Sequence, residues 1–228
     1  MKDAKTVKRG KNETRYHKET FEKISESKRG RILSIATTEF AKKGFKGANI
    51  NEIARKANIS IGSMYTYFET KENLYLTVVD EVYKHLENAI ASTDVDEGDI
   101  FDKLEKIIRV AQKYSREHPD FIKLYQDIAS EGLARQSTRL SRKIENISAV
   151  FYRRQINEAK KQGIVGSDID DHVASYCIDN IILLMQFSYT SAYYKERLKA
   201  FVGDSAHEED ERVVQGMVRF IRRALEAR

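Results

Sequence analysis

One proline in 228 residues leaves this backbone almost free of obligatory helix breaks. Apolar residues recur at helical spacing along most of the chain, and no run reads as a convincing strand. The expected fold class is therefore all-α. The run RILSIATTEFAKK, residues 31–43, places Ile32, Ala36 and Phe40 on one stripe, which Leu33 widens. Gly44 follows, where a left-handed residue is expected to close the helix. Asn49 stands three residues before Glu52, a capping-box pattern that opens the short helix INEIARKA. That helix carries Ile50, Ile53, Ala54 and Ala57 on one face and, at about two turns, needs tertiary partners. Asn58, Ile59 and Ser60 connect it to a second short helix, Ile61 to Tyr67, which Ser60 can cap. Thr70 can cap a longer helix that runs from Lys71 towards residue 91.

Beyond it, the acidic tract STDVDEGD, residues 92–99, is the expected hinge loop. Asp99 can cap a helix over about 100–117, and Pro119 fits the first turn of the next. An amphipathic pattern over about 138–162 stops at Gly163. The loop GIVGSDID is expected to end in a cap at Asp168. The run VASYCIDNIILLMQFSYTSAYY, residues 173–194, reads as one apolar helix, and a last helix covers about 208–226. Three segments are expected: an arm over 1–24, a helical head over 25–75 and a helical body over 76–228.

Charge is divided unevenly between them. Residues 1–75 hold 17 Lys and Arg against 9 Asp and Glu, whereas residues 76–228 hold 23 against 26. A basic front end points to a polyanionic partner, although a solvated basic tail would give the same count. Residues 1–24 read as a basic flexible arm that becomes helical only near Phe21 and Ile24. No run of 18 apolar residues exists, so no transmembrane helix is expected. The first residues lack the apolar core of a secretory signal. Cys177 is the only cysteine and fits a reducing compartment, so a cytoplasmic location is expected.

Two short helices joined by a three-residue turn make a helix-turn-helix layout. On the second, Met64 and Phe68 point to the core. Gly62, Ser63 and Thr66 share the opposite side, with Tyr65 and Tyr67 on its flanks. Small groups at such a front let a helix enter a DNA major groove about 12 Å wide. Ser63 and Thr66 can then reach base edges, while tyrosine hydroxyls bond phosphates along the groove walls. Lys71, opening the next helix, can hold a phosphate together with free backbone N–H groups. The candidate DNA-binding residues are Asn49, Ile61, Gly62, Ser63, Tyr65, Thr66, Tyr67 and Lys71. The competing structural reading is a pair of small helices under a lid, with the tyrosine rings as half-buried filler.

The stretch GFKGANINEIARKANISIGSMYTYFETKENLY, residues 44–75, resembles the DNA-binding signature of the TetR/AcrR family of bacterial transcriptional regulators. The family's Gly-aromatic pair is Gly44-Phe45, and its Ile-Ala pair is Ile53-Ala54. Its Ser-x-Gly-x-x-Tyr-x-x-Phe run is Ser60, Gly62, Tyr65 and Phe68. Its Lys-Glu-x-Leu is Lys71, Glu72 and Leu74. The chain departs at Ala48-Asn49, where the family often has Thr or Ser, and at Tyr67, where it often has His. The resemblance implies a homodimer with two reading heads on a near-palindromic double-stranded DNA operator, half-sites about 34–36 Å or a multiple apart. It also implies a helical ligand domain and dimer contacts in the last two helices. In the last helix, Val213, Gly216, Met217, Phe220 and Ile221 form a stripe wider than one core face needs, and they are the candidate dimer residues.

The effector expected from this reading is a small hydrophobic or aromatic molecule that releases a repressor. Residues 100–200 are rich in aromatics, and cavities between bundle helices are a usual place for ligands. The candidates are Tyr114, Tyr125, Phe151, Gln155, Tyr176 and Asn180. Tyr176, Asp179 and Asn180 lie within the most apolar helix, where polar groups need partners. No catalytic residue, metal site or cofactor is expected: the five histidines are scattered, and no nucleophile elbow or phosphate loop is present. Two other classes fit less well, an effector-independent architectural DNA-binding protein and a helical enzyme or interaction module.

Overall fold

In the computed structural model the described residues are 15–91, 98–129 and 134–227, so the expectations for residues 1–14 and for most of the acidic tract, 92–97, lie outside them. Among the described residues eleven helices form in the order α1 (Glu19–Glu22), α2 (Glu26–Gly47), α3 (Ile50–Lys56), α4 (Ile61–Tyr67), α5 (Lys71–Ala91), α6 (Ile100–Glu117), α7 (Pro119–Ala129), α8 (Ala134–Lys161), α9 (Asp171–Ser188), α10 (Ala192–Val202) and α11 (Asp210–Leu225). Strand pairing among the described residues is limited to one isolated bridge, Val165 with Glu226. No helix among them is long and apolar enough to cross a membrane.

Local side chains set most of the helix starts. Ser25, Ser60 and Thr70 accept from the amides of Lys28, Ser63 and Asn73. Asp99 and Asp102 form a full capping box at α6. Asn49 accepts from Asn51 N at 2.9 Å, but the expected reciprocal partner Glu52 instead pairs with Arg55 at 2.8 Å. Gly44 has the expected positive φ, 64°, with ψ at 172°. That extended mirror region is almost confined to glycine.

Three expectations are corrected. The cap of α9 is Asp170, which accepts from His172 N and Val173 N, rather than Asp168. The apolar run 173–194 is split: α9 ends at Ser188, and Ser191 caps a separate α10 by accepting from Tyr194 N. The break contains no Gly or Pro, and Ser188, Thr190 and Ser191 are weak stop signals without one. Finally, residues 15–24 are not a free arm. Phe21 is 1% exposed, and Tyr16 and Ile24 pack beside it.

Two main cores result. The head core gathers α1–α4 around Ile32, Phe40, Ile53, Met64 and Phe68, and takes in Leu74, Tyr75 and Val78 from α5 and Leu124 and Ile128 from α7. The boundary expected at residue 75 therefore falls inside a shared helix. The body core joins α6, α8, α9 and α11 through Leu104, Ile108, Ile156, Ile178, Met185, Val214 and Ile221. Arg109 on α6 grips Glu211 on α11 with two bonds of 2.7 Å.

Inside the head, the buried carboxylate of Glu39 on α2 lies 2.6 Å from Lys43 Nζ and 2.8 Å from Lys56 Nζ of α3. Hydrogen bonds from Lys43 and then Lys56 hold its pKa down at about 2 against the desolvation that would raise it. A depressed carboxylate stabilises the folded state fully above its unfolded pKa, and this contribution fades as pH falls from about 4.5 to about 2. Glu39→Gln should therefore cost roughly 1–3 kcal/mol at neutral pH. Urea denaturation should show that gap narrowing from pH 7 to pH 3, and a gap that widened on acidification would contradict this role.

Candidate nucleic-acid interface

α3 and α4 meet at a turn whose Asn58 has φ 53°. Asparagine tolerates this left-handed conformation better than most residues. Arg31 on α2 donates to Ala57 O at 3.1 Å and so fixes the end of α3. Met64 and Phe68 are fully buried, which orients α4. Its outer side then presents Gly62 and Thr66, with Ser63 partly covered. Thr66 Oγ1 donates to Gly62 O at 3.0 Å, and the Ser63 and Ser60 hydroxyls lie 2.8 Å apart. A Cβ added at Gly62 would meet only Ser60 Oγ, at 3.8 Å. Ile61 and Tyr65 are exposed, Tyr65 at 47%.

Two candidates sit differently from the sequence expectation. Tyr67 is buried against Phe21 and Phe68, and its hydroxyl accepts from Lys28 Nζ at 3.2 Å. Lys71 Nζ donates to Lys46 O and Ala48 O at 3.1 and 2.8 Å and lies 4.9 Å above the Phe45 ring. Its ammonium thus closes the α2–α3 corner. Asn49 remains exposed as the α3 cap.

The sequence reading missed the clamp formed by α1. Lys18 N donates to Tyr67 O at 2.9 Å, Lys18 Nζ to Tyr65 O at 3.1 Å, and Thr20 Oγ1 to Thr66 O. These are carbonyls that the last turn of α4 leaves without intrahelical partners. Phe21 seals the joint, its ring 4.6 Å from that of Phe68. A one-turn helix has no period to detect; Phe21 beside Ile24 was the only signal.

In the body, Tyr114 is buried and its hydroxyl has no partner among the described residues. Burial pushes that phenol's pKa up. Tyr125 donates to Glu145 of α8 and is likewise raised, first by burial. Asp179 of α9 is nearby, pushed up to about 6 by desolvation and then by Glu145. Phe151 packs on the body core, and Gln155 accepts from Lys103 Nζ at 3.3 Å. Tyr176 is 70% exposed, and Asn180 is only partly covered, donating to Tyr176 O at 2.8 Å. The inward face of α9 is set by Ala174, Ile178, Ile182 and Met185, which leaves both residues on its other side. Of the dimer candidates, Val213 and Ile221 are buried in their own body, Met217 packs on it, and Phe220 is 66% exposed. A Cβ at Gly216 would meet nothing within 4 Å.

Residues 32–78 match the family model for bacterial regulatory proteins of the tetR family. The HTH-type transcriptional repressor NicS of Pseudomonas putida is 29% identical over 146 residues, 62% of this chain and 67% of that protein. A TetR family transcriptional regulator from Chloroflexus aurantiacus superposes with a TM-score of 0.70 at 20% identity, covering 93% of this chain and 99% of that one. AibR, solved with isovaleryl coenzyme A and operator DNA, superposes with a TM-score of 0.62 at 18% identity, covering 85% and 96%. At these identities the solved structures establish a shared fold.

The clamp makes a specific demand on α4. Phe21→Ala should lower stability by about 3–5 kcal/mol and weaken DNA binding, although Phe21 itself faces no DNA. Thermal denaturation alongside fluorescence anisotropy on labelled duplex would measure both. Unchanged melting would remove α1 from the account of how α4 is held.

Proposed function

We infer that this chain, which belongs to the tetR family of bacterial regulatory proteins, is a dimeric repressor that a small molecule releases from a near-palindromic operator. Its relatives are transcriptional regulators rather than enzymes, and DNA binding is the part of the role they share. One observation carries the reading: the outer side of α4 is small, hydroxyl-bearing and free of charged side chains, on a helix held from behind by Met64, Phe68 and α1. Such a face can approach base edges without placing a charge against the wrong base. Phosphate contact falls to neighbouring groups: Tyr65 and the helix ends. Residues 1–14, with their lysines and arginine, would add salt-dependent attraction.

NicS is named a repressor, and AibR was solved with both an acyl-coenzyme A and operator DNA. Those facts favour repression and a small-molecule effector here. The effector we propose is hydrophobic or aromatic and sits in the body near Tyr114, Tyr125 and Phe151. The Tyr114 hydroxyl, without a partner among the described residues, gives it one polar group to satisfy. Release needs only a differential affinity for the two head poses, worth about 1–3 kcal/mol.

The dimer surface proposed is the outer side of α9 and α11, where Val173, Tyr176, Leu184 and Phe220 stay exposed. Monomers rarely leave so many large apolar groups in the open on packed neighbouring helices. Cytoplasmic operator binding follows from the role. An effector-independent DNA-binding protein is the alternative, favoured if no small molecule alters DNA release.

Footprinting of genomic DNA with the purified protein should reveal a two-fold site, from which candidate effectors can then be screened for release. Phe220→Glu should turn a dimer into a monomer in light scattering and lower operator affinity at least tenfold while leaving the fold intact. Protection of a single half-site by a monomer, or a Phe220→Glu protein that still dimerises, would overturn this arrangement.

A further inference from the structure

Between head and body lies a cleft of about 370 Å³. Tyr114 of the proposed effector site does not line it but packs behind its wall, against the rings of His118 and Phe121. That volume falls in the range of small-molecule pockets, about 300–1,000 Å³. One wall is α2, through Ser34, Thr37 and Thr38; the other is α5 and the α6–α7 turn. Leu33 and Thr37 are buried at its floor, with Val82 half-buried beside them. Its rim is acidic: Glu81, Glu117 and Asp120 line it, and no Lys or Arg does. Lys84 and Lys113 approach Glu81 and Glu117 at 3.4 and 3.8 Å, but from outside the lining.

Two imidazoles complete the rim. Phe121 stacks on His118 at 5.2 Å and on His85 at 6.0 Å, with interplanar angles of 14° and 27°. These stacks hold both histidines at the cleft. Imidazole nitrogens, carboxylates and hydroxyls can all accept hydrogen bonds. A site of acceptors with negative charge selects a cationic donor and rejects an anion. Among the described residues, no group of three or more His, Cys, Asp and Glu is arranged to hold a metal ion. The apolar floor asks for carbon.

We propose that this cleft is a second ligand site and that it takes an organic cation, an ammonium group carrying a compact apolar body. The ammonium lies at the rim between Glu81 and Glu117, and the carbon body rests on Leu33 and Val82. The site touches the head directly. Thr38 Oγ1 of α2 donates to Asp120 Oδ2 of α7 at 3.0 Å beside the cleft, so an occupant bears on the joint that sets the head's pose. The proposal goes beyond the regulator reading and is tested on the free protein without DNA.

Isothermal titration with phenethylammonium, 2-phenylethanol and phenylacetate would decide it. The expected result is saturable binding of phenethylammonium, at least tenfold weaker binding of the alcohol and none of phenylacetate. Both rim glutamates are exposed enough to change safely. The double variant Glu81→Gln, Glu117→Gln should keep its melting temperature and lose phenethylammonium binding at least tenfold. Tyr125→Phe, altered in the body, should bind the probe as the unaltered protein does. Three results would overturn the proposal: no saturable binding up to about 10 mM, equal affinity for cation and alcohol, or binding that survives the double variant but fails in Tyr125→Phe.

Discussion

The carboxylate of Asp127 on α7 is the contact on which the joint between head and body depends. Its Oδ2 accepts from Phe45 N and from Tyr75 OH, each at 3.0 Å. Hydrogen bonds to an ionised acceptor are among the stronger ones, about 1.5–3 kcal/mol each. Burial first, and then the negative charge of Asp127, raise the Tyr75 phenol, so it remains a donor at any ordinary pH. Gly44 completes the arrangement. A Cβ there would stand 3.1 Å from Asp127 Oδ1, on a backbone conformation that already disfavours one. A body helix is thereby built into the corner between α2 and α3. Phe45 also meets Tyr75 and Phe40 edge-on or stacked, and Lys71 covers its ring. Any movement of α7 must carry this corner with it or break it.

That corner explains what the sequence could and could not convey. The pair Gly44-Phe45 is visible in the chain, and so is the helix-turn-helix after it, because caps and short apolar periods are local. Ser60, Thr70 and Asp99 cap the helices they were expected to cap, and Met64 and Phe68 point inward. Gly44 is required locally by its positive φ, but a second reason is not local. It lies in a carboxylate more than eighty positions away. Lys71 shows the same limit. Its position at a helix start suggests a phosphate ligand, but two carbonyls of the preceding corner hold it. Tyr67 looked like a flank residue because α4 has a wide polar side. The α1 segment covers that flank, and one turn of helix leaves no periodicity to read.

The body was less legible for a related reason. In α9 eleven of eighteen residues are apolar or aromatic and they occur on every side of the helix, so no stripe distinguishes inside from outside. Packing on α6 and α8 makes the choice, and Tyr176 and Asn180 fall on the unburied side. The break before α10 was concealed for lack of a Gly or Pro. In α11, by contrast, four arginines with Asp210 and Glu211 mark the outer face. Phe220 stands out there as an aromatic among charges, while Val213 and Ile221 were ambiguous until packing buried both, Ile221 within the body core.

Charge placement separates two tasks within the head. The outer side of α4 carries none, while Lys18, Lys28, Arg31, Lys56 and Lys71 each already serve a carbonyl, a phenol or Glu39. Cations committed to the protein's own acceptors hold the reading helix in place and contribute less to a phosphate lattice. Long-range attraction must then come largely from the basic residues that precede Arg15 and from the uncommitted lysines of α2. In this proposed reader, specificity would rest on the rigidity of a neutral helix, and affinity on the charge of residues 1–14 and of the α2 lysines. The two can vary independently: loss of the charges in residues 1–14 would flatten the salt dependence while sequence preference stayed fixed.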